Sequence, residues 1–337
     1  MMDMKETLLL TRSDIESLLT VHDVVDAIED AFRQKGLKRV QMPPKVYIFF
    51  EKVGGDFRVM PAYIEKLNMA SVKIVNSHPK NPSEKGLPTV MAIIELIDTD
   101  TGFPLAIMDG TYITAMRTMA ASIVAIKYLA KKDFSIIGLI GAGVQGQTQA
   151  KGILEYFNGQ IERFKIYDII PEKSERLCKE LSEKFSNVGI EAVDSARKAV
   201  EDSDIVITLT PSRKPYIKYD WVSSGTHFNC MGADAPGKQE VDPKMLLNAK
   251  IVVDDREQAI HSGEINVPIS KGILKPDDIY AELGEIIAGL KPGRENDKEL
   301  TVFVSTGLAI QDTAAAYIVY KKAIEQNIGK KVNLLSL

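Results

Sequence analysis

Apolar residues recur at helical spacing at Ile15, Leu18 and Leu19, and again at Val24, Val25, Ile28, Ala31 and Phe32. Each set follows a threonine with an aspartate three positions on, Thr11 to Asp14 and Thr20 to Asp23. That is the spacing of a capping box, so two capped helices are predicted after a short strand at 6–10. From Lys45 to Ile97 the pattern changes to short β-branched runs, "KVYIFF", "FRVMPAYI", "ASVKIV" and "PTVMAIIELI", punctuated by Gly, Pro and Asn. A mainly antiparallel sheet is predicted there. The Ala-, Met- and Ile-rich run from Tyr112 to Lys131 then predicts a long helix, with Met108, Met116 and Met119 as core filler.

Past that helix the order becomes strand, glycine-rich turn, helix. The apolar run Ser135–Ile140 meets Gly141-Ala142-Gly143-Val144-Gln145-Gly146, and Gln149, Ile153, Leu154 and Phe157 continue at helical spacing. A G-x-G-x-x-G string is weak on its own and strong in this setting. Gly141 permits a tight turn, Gly143 lets the main chain approach a pyrophosphate, and Gly146 allows close helix packing. The next strand, "RFKIYD", ends at Asp168, about 20 residues past the last glycine, where an acid binds a ribose 2′-hydroxyl. Asp168 favours NAD, while Lys173 and Arg163 keep NADP as the lesser alternative.

Further strands at Asp204–Thr210, "THFNCM", Lys250–Asp255 and Leu300–Thr306 alternate mostly with helical segments. A doubly wound parallel sheet of the α/β class is expected. Ligands bind such sheets beyond the carboxyl ends of the strands, where Thr210-Pro211-Ser212, Gly232-Ala233-Asp234 and Ser305-Thr306-Gly307 fall. A carboxylate there, Asp234, suits the proton movements that accompany hydride transfer.

Composition removes several other classes. The chain has 337 residues, enough for two domains, with 42 Lys and Arg against 46 Asp and Glu. A net charge of −4 gives no general field for nucleic acid or anionic lipid, so small-molecule partners are expected. The two cysteines, Cys178 and Cys230, lie far apart and suggest neither a disulfide framework nor a thiolate metal site. Asp3 and Glu6 stand where a secretory leader would be basic, and the apolar runs fall short of the ~20 residues that span a bilayer. A cytoplasmic, soluble protein is expected. The four histidines, His22, His78, His227 and His261, show no short ligand spacing, so no metal site is expected.

The stretches "QMPPKVY", "VNSHPKNP", "GLPTVMAI", "TGFPLAIMDGTY", "GAGVQGQ", "TPSRKP", "GADAPGKQE", "GEINV", "GEIIAGLK" and "STGLAIQD" run almost end to end. In their number and order the chain resembles the ornithine cyclodeaminase/mu-crystallin family, and within it the archaeal alanine dehydrogenases. The resemblance implies a Rossmann-type NAD-binding domain, 118–307, inserted into an α+β substrate-binding and dimerisation domain, 1–117 with 308–337. It also implies a homodimer. By matching position it implies Lys73 and Asp234 as the acid and base pair, Lys45, Arg58 and Arg117 on the substrate side, and Thr118, Gly232 and Ser305 beside the cofactor. Chemistry agrees independently, since an amino acid presents a carboxylate that an arginine fork suits, and a lysine among cations can exchange protons near neutrality.

Each residue also has a plainer reading. Lys73 in a half-buried strand would ordinarily snorkel to the surface. Asp234 would ordinarily bond its own turn, and either arginine would ordinarily form an ion pair. Glu264, Asn266 and Asp312 read as caps and inter-domain hydrogen bonds. Three functions remain open: oxidative deamination of L-alanine with NAD; a cyclodeaminase converting L-ornithine to L-proline with recycled NAD, for which an acid such as Glu51 must receive the distant ammonium; and a ketimine reductase or binding protein of the mu-crystallin kind.

Overall fold

The computed structural model describes residues 6–336, so Asp3 lies outside the described residues. The chain forms two compact units, 1–117 with 308–337, and 118–307.

The first unit is built on a sheet of β1 (Thr7–Leu10), β2 (Val40–Gln41), β3 (Val46–Phe50), β4 (Gly55–Ile64), β5 (Met69–Ser77), β6 (Val90–Asp98), β7 (Pro104–Asp109) and β16 (Lys330–Val332). Its order is β16-β1-β7-β6-β5-β4-β2, with β3 also on β4, and only β1 and β7 run parallel. The helices Arg12–Leu18 and Val21–Gly36 begin at Thr11 and Thr20, and both capping boxes are complete. Helix Ala309–Gln326 packs on Val21–Gly36 and on β4 and β5.

Cross-strand register decides what each sheet face carries, because side chains alternate along a strand. Lys73 in β5 stands opposite Met60 in β4 and Ile94 in β6, and all three are buried. One residue along, Val46, Val59, Ile74 and Ile93 form a row across four strands on the other face. Val46 is 57%, Ile74 40% and Ile93 52% exposed.

The second unit holds β8 (Ile136–Ile140), β9 (Arg163–Tyr167), β10 (Gly189–Ala192), β11 (Ile205–Thr208), β12 (His227–Cys230), β13 (Lys250–Val253), β14 (Ile279–Glu282) and β15 (Thr301–Val304). All pair in parallel, in the order β10-β9-β8-β11-β12-β15-β13-β14. β8, β11, β12 and β15 are almost wholly buried, which is why they read as continuous apolar runs. β10 and β14 escaped the sequence pattern: β10, "GIEA", lies exposed at the sheet edge and carries no apolar run. The predicted long helix runs from Gly110 to Leu129, and Met108, Met116 and Met119 are buried as expected. No helix among the described residues is long and apolar enough to cross a membrane.

Candidate active site

The polar centre of the first unit is a buried cluster on the inner face of its sheet. Lys73 Nζ lies 2.7 Å from Asp312 Oδ2, with side chains 1% and 0% exposed. The two form a buried ion pair. Asp312 Oδ1 accepts from Arg117 Nε at 3.2 Å, and Arg117 Nη1 donates to Gln311 Oε1 at 3.1 Å. Lys73 Nζ also reaches Thr114 Oγ1 at 3.4 Å. Gln311 Oε1 accepts from Leu308 N as well, tying this cluster to the start of its helix.

Burial pushes the Lys73 ammonium down from 10.5 to about 7, with Asp312 opposing and the charges of Arg117 and Lys45 adding to the fall. A lysine so placed changes protonation near neutral pH, which is what proton transfer at a substrate requires. Lys73 therefore does not snorkel. Asp312 and Gln311 were missed as site residues by sequence reasoning. Lys73 and Arg117, the partners that Asp312 takes here, belong to its own unit.

Arg58 occupies the same sheet face, paired in register with Val75 two residues beyond Lys73. Asp56 holds its guanidinium through Nε at 2.8 Å and Nη2 at 3.0 Å, and the group stacks over Tyr47 at 5.2 Å. The fork is thus set in orientation before any ligand arrives. Lys45, half-buried just ahead of β3, is near enough for its charge to bear on Lys73. Glu51 sits exposed in the turn after β3.

In the second unit the glycine-rich turn follows β8, and Gly143 starts helix Val144–Tyr156 with no side-chain cap. Gly141 has φ +108°, a conformation other residues adopt poorly. A methyl group at Gly146 would lie 1.9 Å from the Gly141 carbonyl oxygen, whereas one at Gly143 would meet nothing within 4 Å. The helix start is uncapped and open where a phosphate would rest, so the residues present fit a dinucleotide pyrophosphate. Ala142, Val144 and Gln145 complete the turn, and Thr118 O accepts from Gln149 of the helix that follows.

Asp168 stands past the end of β9, its Oδ2 accepting from Ala142 N at 2.7 Å and Oδ1 from Ile170 N at 2.9 Å. These bonds fix its side chain beside the turn. Arg163 offers nothing to a 2′-phosphate here: it begins β9, at the opposite end from Asp168, and pairs with Glu191 at 2.6 Å.

Thr210-Pro211-Ser212, Gly232 with Asp234, and Ser305 follow the carboxyl ends of β11, β12 and β15. Ser305 Oγ and the main-chain N–H groups of Thr306 and Gly307 all donate to buried Asp254. Asp234 is half-buried and pairs with Lys238 at 2.5 Å, within its own loop. Glu264 and Asn266 brace that loop from inside the same unit. Glu264 Oε1 accepts from Glu240 N and Val241 N, both at 2.7 Å, and Asn266 bonds Gly237 N and Lys238 O. His227 is buried between Thr301 and Asn229, and burial pushes it down to about 3, so it stays neutral and structural.

A parallel sheet with an uncapped glycine turn after one strand and an acid closing the next is the architecture of dinucleotide-binding proteins of the Rossmann class. The chain belongs to the ornithine cyclodeaminase/mu-crystallin family, whose model matches residues 5–327. An alanine dehydrogenase of Archaeoglobus fulgidus is 48% identical to it over 98% of this chain and 100% of its own. An archaeal alanine dehydrogenase dimer with bound NAD superposes with a TM-score of 0.93, covering 98% of this chain and 100% of the other at 48% identity. The Thermococcus litoralis Δ1-pyrroline-2-carboxylate reductase, in complex with NADH and L-proline, gives 0.92 at 43% identity, covering 97% and 100%.

Proposed function

We propose that this chain is an NAD-dependent dehydrogenase that converts L-alanine and water reversibly to pyruvate and ammonia through an imine. The observation that carries this reading is the buried Lys73, Asp312 and Arg117 cluster, which sets an ammonium near neutrality beside arginines suited to a carboxylate. The 48% identical alanine dehydrogenase supports the choice of substrate. Bound NAD, held by Gly141–Gly146 and Asp168, supplies the acceptor for the Cα hydride.

Arg58 and Arg117 bind the amino-acid carboxylate, with Lys45 adding charge. Lys73 polarises the oxygen that develops at Cα and exchanges protons with it. Asp234 moves protons between the attacking water and the departing nitrogen. Lys238, paired with Asp234 within the same loop, places a positive charge beside it.

A second reading is reduction of a preformed cyclic imine, favoured by the 43% identical neighbour solved with NADH and L-proline. The same residues serve it. Ornithine cyclisation is less well supported, because Glu51, the acid considered for the distant ammonium, lies in an exposed turn.

We also infer a homodimer, in line with the NAD-bound dimer of the archaeal relative. The β-branched row of half-buried Val59 with exposed Val46, Ile74 and Ile93 is the surface a second copy covers. A reducing, cytoplasmic setting suits the two buried free thiols, Cys178 and Cys230.

The test is incubation with NAD and, separately, L-alanine or L-ornithine, following NADH absorbance and released ammonia together. Both rise with alanine if the proposal holds. Ammonia and proline from ornithine without NADH point to the cyclodeaminase, and silence with both, joined to NADH oxidation by a cyclic imine, points to the reductase.

A further inference from the structure

The carboxylate of Glu240 closes the loop that carries Asp234, and four of its five donors come from the ends of two different strands. Oε1 accepts from Thr210 N at 2.8 Å, Thr210 Oγ1 at 2.6 Å and Tyr216 Oη at 3.0 Å. Oε2 accepts from Thr208 Oγ1 at 2.7 Å and Gly232 N at 3.2 Å. The side chain is fully buried, and no lysine or arginine pairs with it among the described residues.

An ionised carboxylate only accepts, with about four lone-pair directions, so five converging donors use its capacity fully. A proton on either oxygen would displace one of them. Burial raises Glu240 above the usual carboxylate value, and these donors oppose the rise. Glu264 beside it is bound through Oε1 alone, its Oε2 has no partner, and burial with the Glu240 charge pushes it well above the usual carboxylate range. Two carboxylates in an interior without a cation do not both ionise. Both are pushed upward, Glu264 the further, and the five donors favour charge on Glu240.

Geometry shows what this anion is for. Thr210 follows β11 and Gly232 follows β12, the neighbouring strand, and the side chain spans both loops at the sheet's carboxyl edge. At Gly232 an added methyl group would lie 2.4 Å from Glu240 Oε2 and 2.4 Å from Thr210 O, so the two loops meet with no room for a side chain. Asp234 is two residues on.

We propose that Glu240 is a positioning residue, an acceptor-only clamp that sets Asp234 and the Thr210 loop in register with each other for hydride transfer. The inference rests on the dehydrogenase reading for its activity readout, but not for its binding readout.

The experiment uses the full-length protein with Glu240→Gln, which keeps the volume but replaces one acceptor by a donor facing other donors. Gly232→Ala spoils the same joint from the opposite side. NADH affinity is followed by fluorescence, and kcat and KM for L-alanine are measured with saturating NAD. The expected result in both variants is a kcat lowered at least 30-fold, NADH Kd raised three- to tenfold, and KM for alanine within twofold of wild type. A general loss of folded protein would not separate kcat from KM in this way.

Folded Glu240→Gln protein with kcat within threefold of wild type overturns the proposal, as does a KM that rises in step with the loss of kcat. If Glu240→Gln does not fold, the same two outcomes in Gly232→Ala overturn it. Wild-type protein that binds NADH but oxidises no amino acid defeats the dehydrogenase reading instead. In that case an unchanged NADH Kd in both variants overturns the clamp.

Discussion

Lys73 and Asp312 meet at 2.7 Å with both side chains closed to solvent, one from the middle of a strand and the other from the last long helix. An ammonium in that setting loses its hydration and recovers part of the loss from one carboxylate that Arg117 also uses. The balance leaves it near neutrality.

Stability follows from that balance. The folded value for Lys73, about 7, lies below the unfolded 10.5, so between those limits the unfolded chain holds more protons. Unfolding free energy therefore gains a contribution that rises with pH across this window, by at most about 1.4 kcal/mol per pH unit. Urea titrations at pH 7, 8.5 and 10 are expected to show this rise in the wild type relative to Lys73→Met, where the contribution is absent. Parallel curves for the two proteins would contradict it.

Asp312→Asn removes the anion and leaves Lys73 and Arg117 facing each other. Breaking a buried pair costs about 3–5 kcal/mol. Chemical denaturation is expected to show a loss of that order, with activity reduced more than stability alone accounts for, because the Lys73 ammonium is then disfavoured further.

Two glycines of the turn separate packing from ligand approach. Gly146→Ala forces a methyl group against the Gly141 carbonyl oxygen, an overpacking expected to cost about 1–3 kcal/mol and seen as a lower Tm. Gly143→Ala places its methyl group in open space. Its Tm is expected to match wild type while NADH affinity falls at least tenfold.

Asp168→Asn tests cofactor choice. The amide offers one acceptor oxygen where the carboxylate serves Ala142 N and Ile170 N with two. KM for NAD is expected to rise about tenfold, equivalent to about 1.4 kcal/mol, and the preference for NAD over NADP to narrow. An unchanged ratio of kcat/KM between the two cofactors would place the selectivity elsewhere.

The exposed row on the first sheet gives a test of assembly. Ile74→Glu and Ile93→Glu put charges on a face whose other members are Val46 and Val59. Light scattering after size exclusion is expected to give about half the wild-type mass for the double variant, with its circular dichroism retained.

Local chemistry made much of the fold legible. Thr11 with Asp14 and Thr20 with Asp23 announce two helix starts, and the capping boxes form as their spacing requires. The glycine turn after β8 and the acid after β9 likewise depend on residues close together in sequence. β14, "IYAE", is too short and mixed to stand out.

The partner of Lys73 was not legible, because a charge pair between β5 and helix Ala309–Gln326 leaves no spacing signal. Nor was the burial of Lys73 itself. A lysine between Val72 and Ile74 has the alternation of a surface strand, and only register opposite Met60 and Ile94 turns it inward. Arg58 and Asp56 are different. They lie two residues apart on one strand and so share a face, a signal that period-two reading contains. Glu240 ends the "GADAPGKQE" stretch in plain view, but its five donors come from residues as far back as Thr208.

The most direct measurement of the central claim follows deuterium from L-[2-²H]alanine in the presence of NAD. Direct transfer from Cα requires the label in the reduced nicotinamide, with unlabelled pyruvate and ammonia formed in equal amounts, and proton NMR of the recovered cofactor reads this. Label released to water, or alanine recovered unchanged with its deuterium in place, would contradict the account.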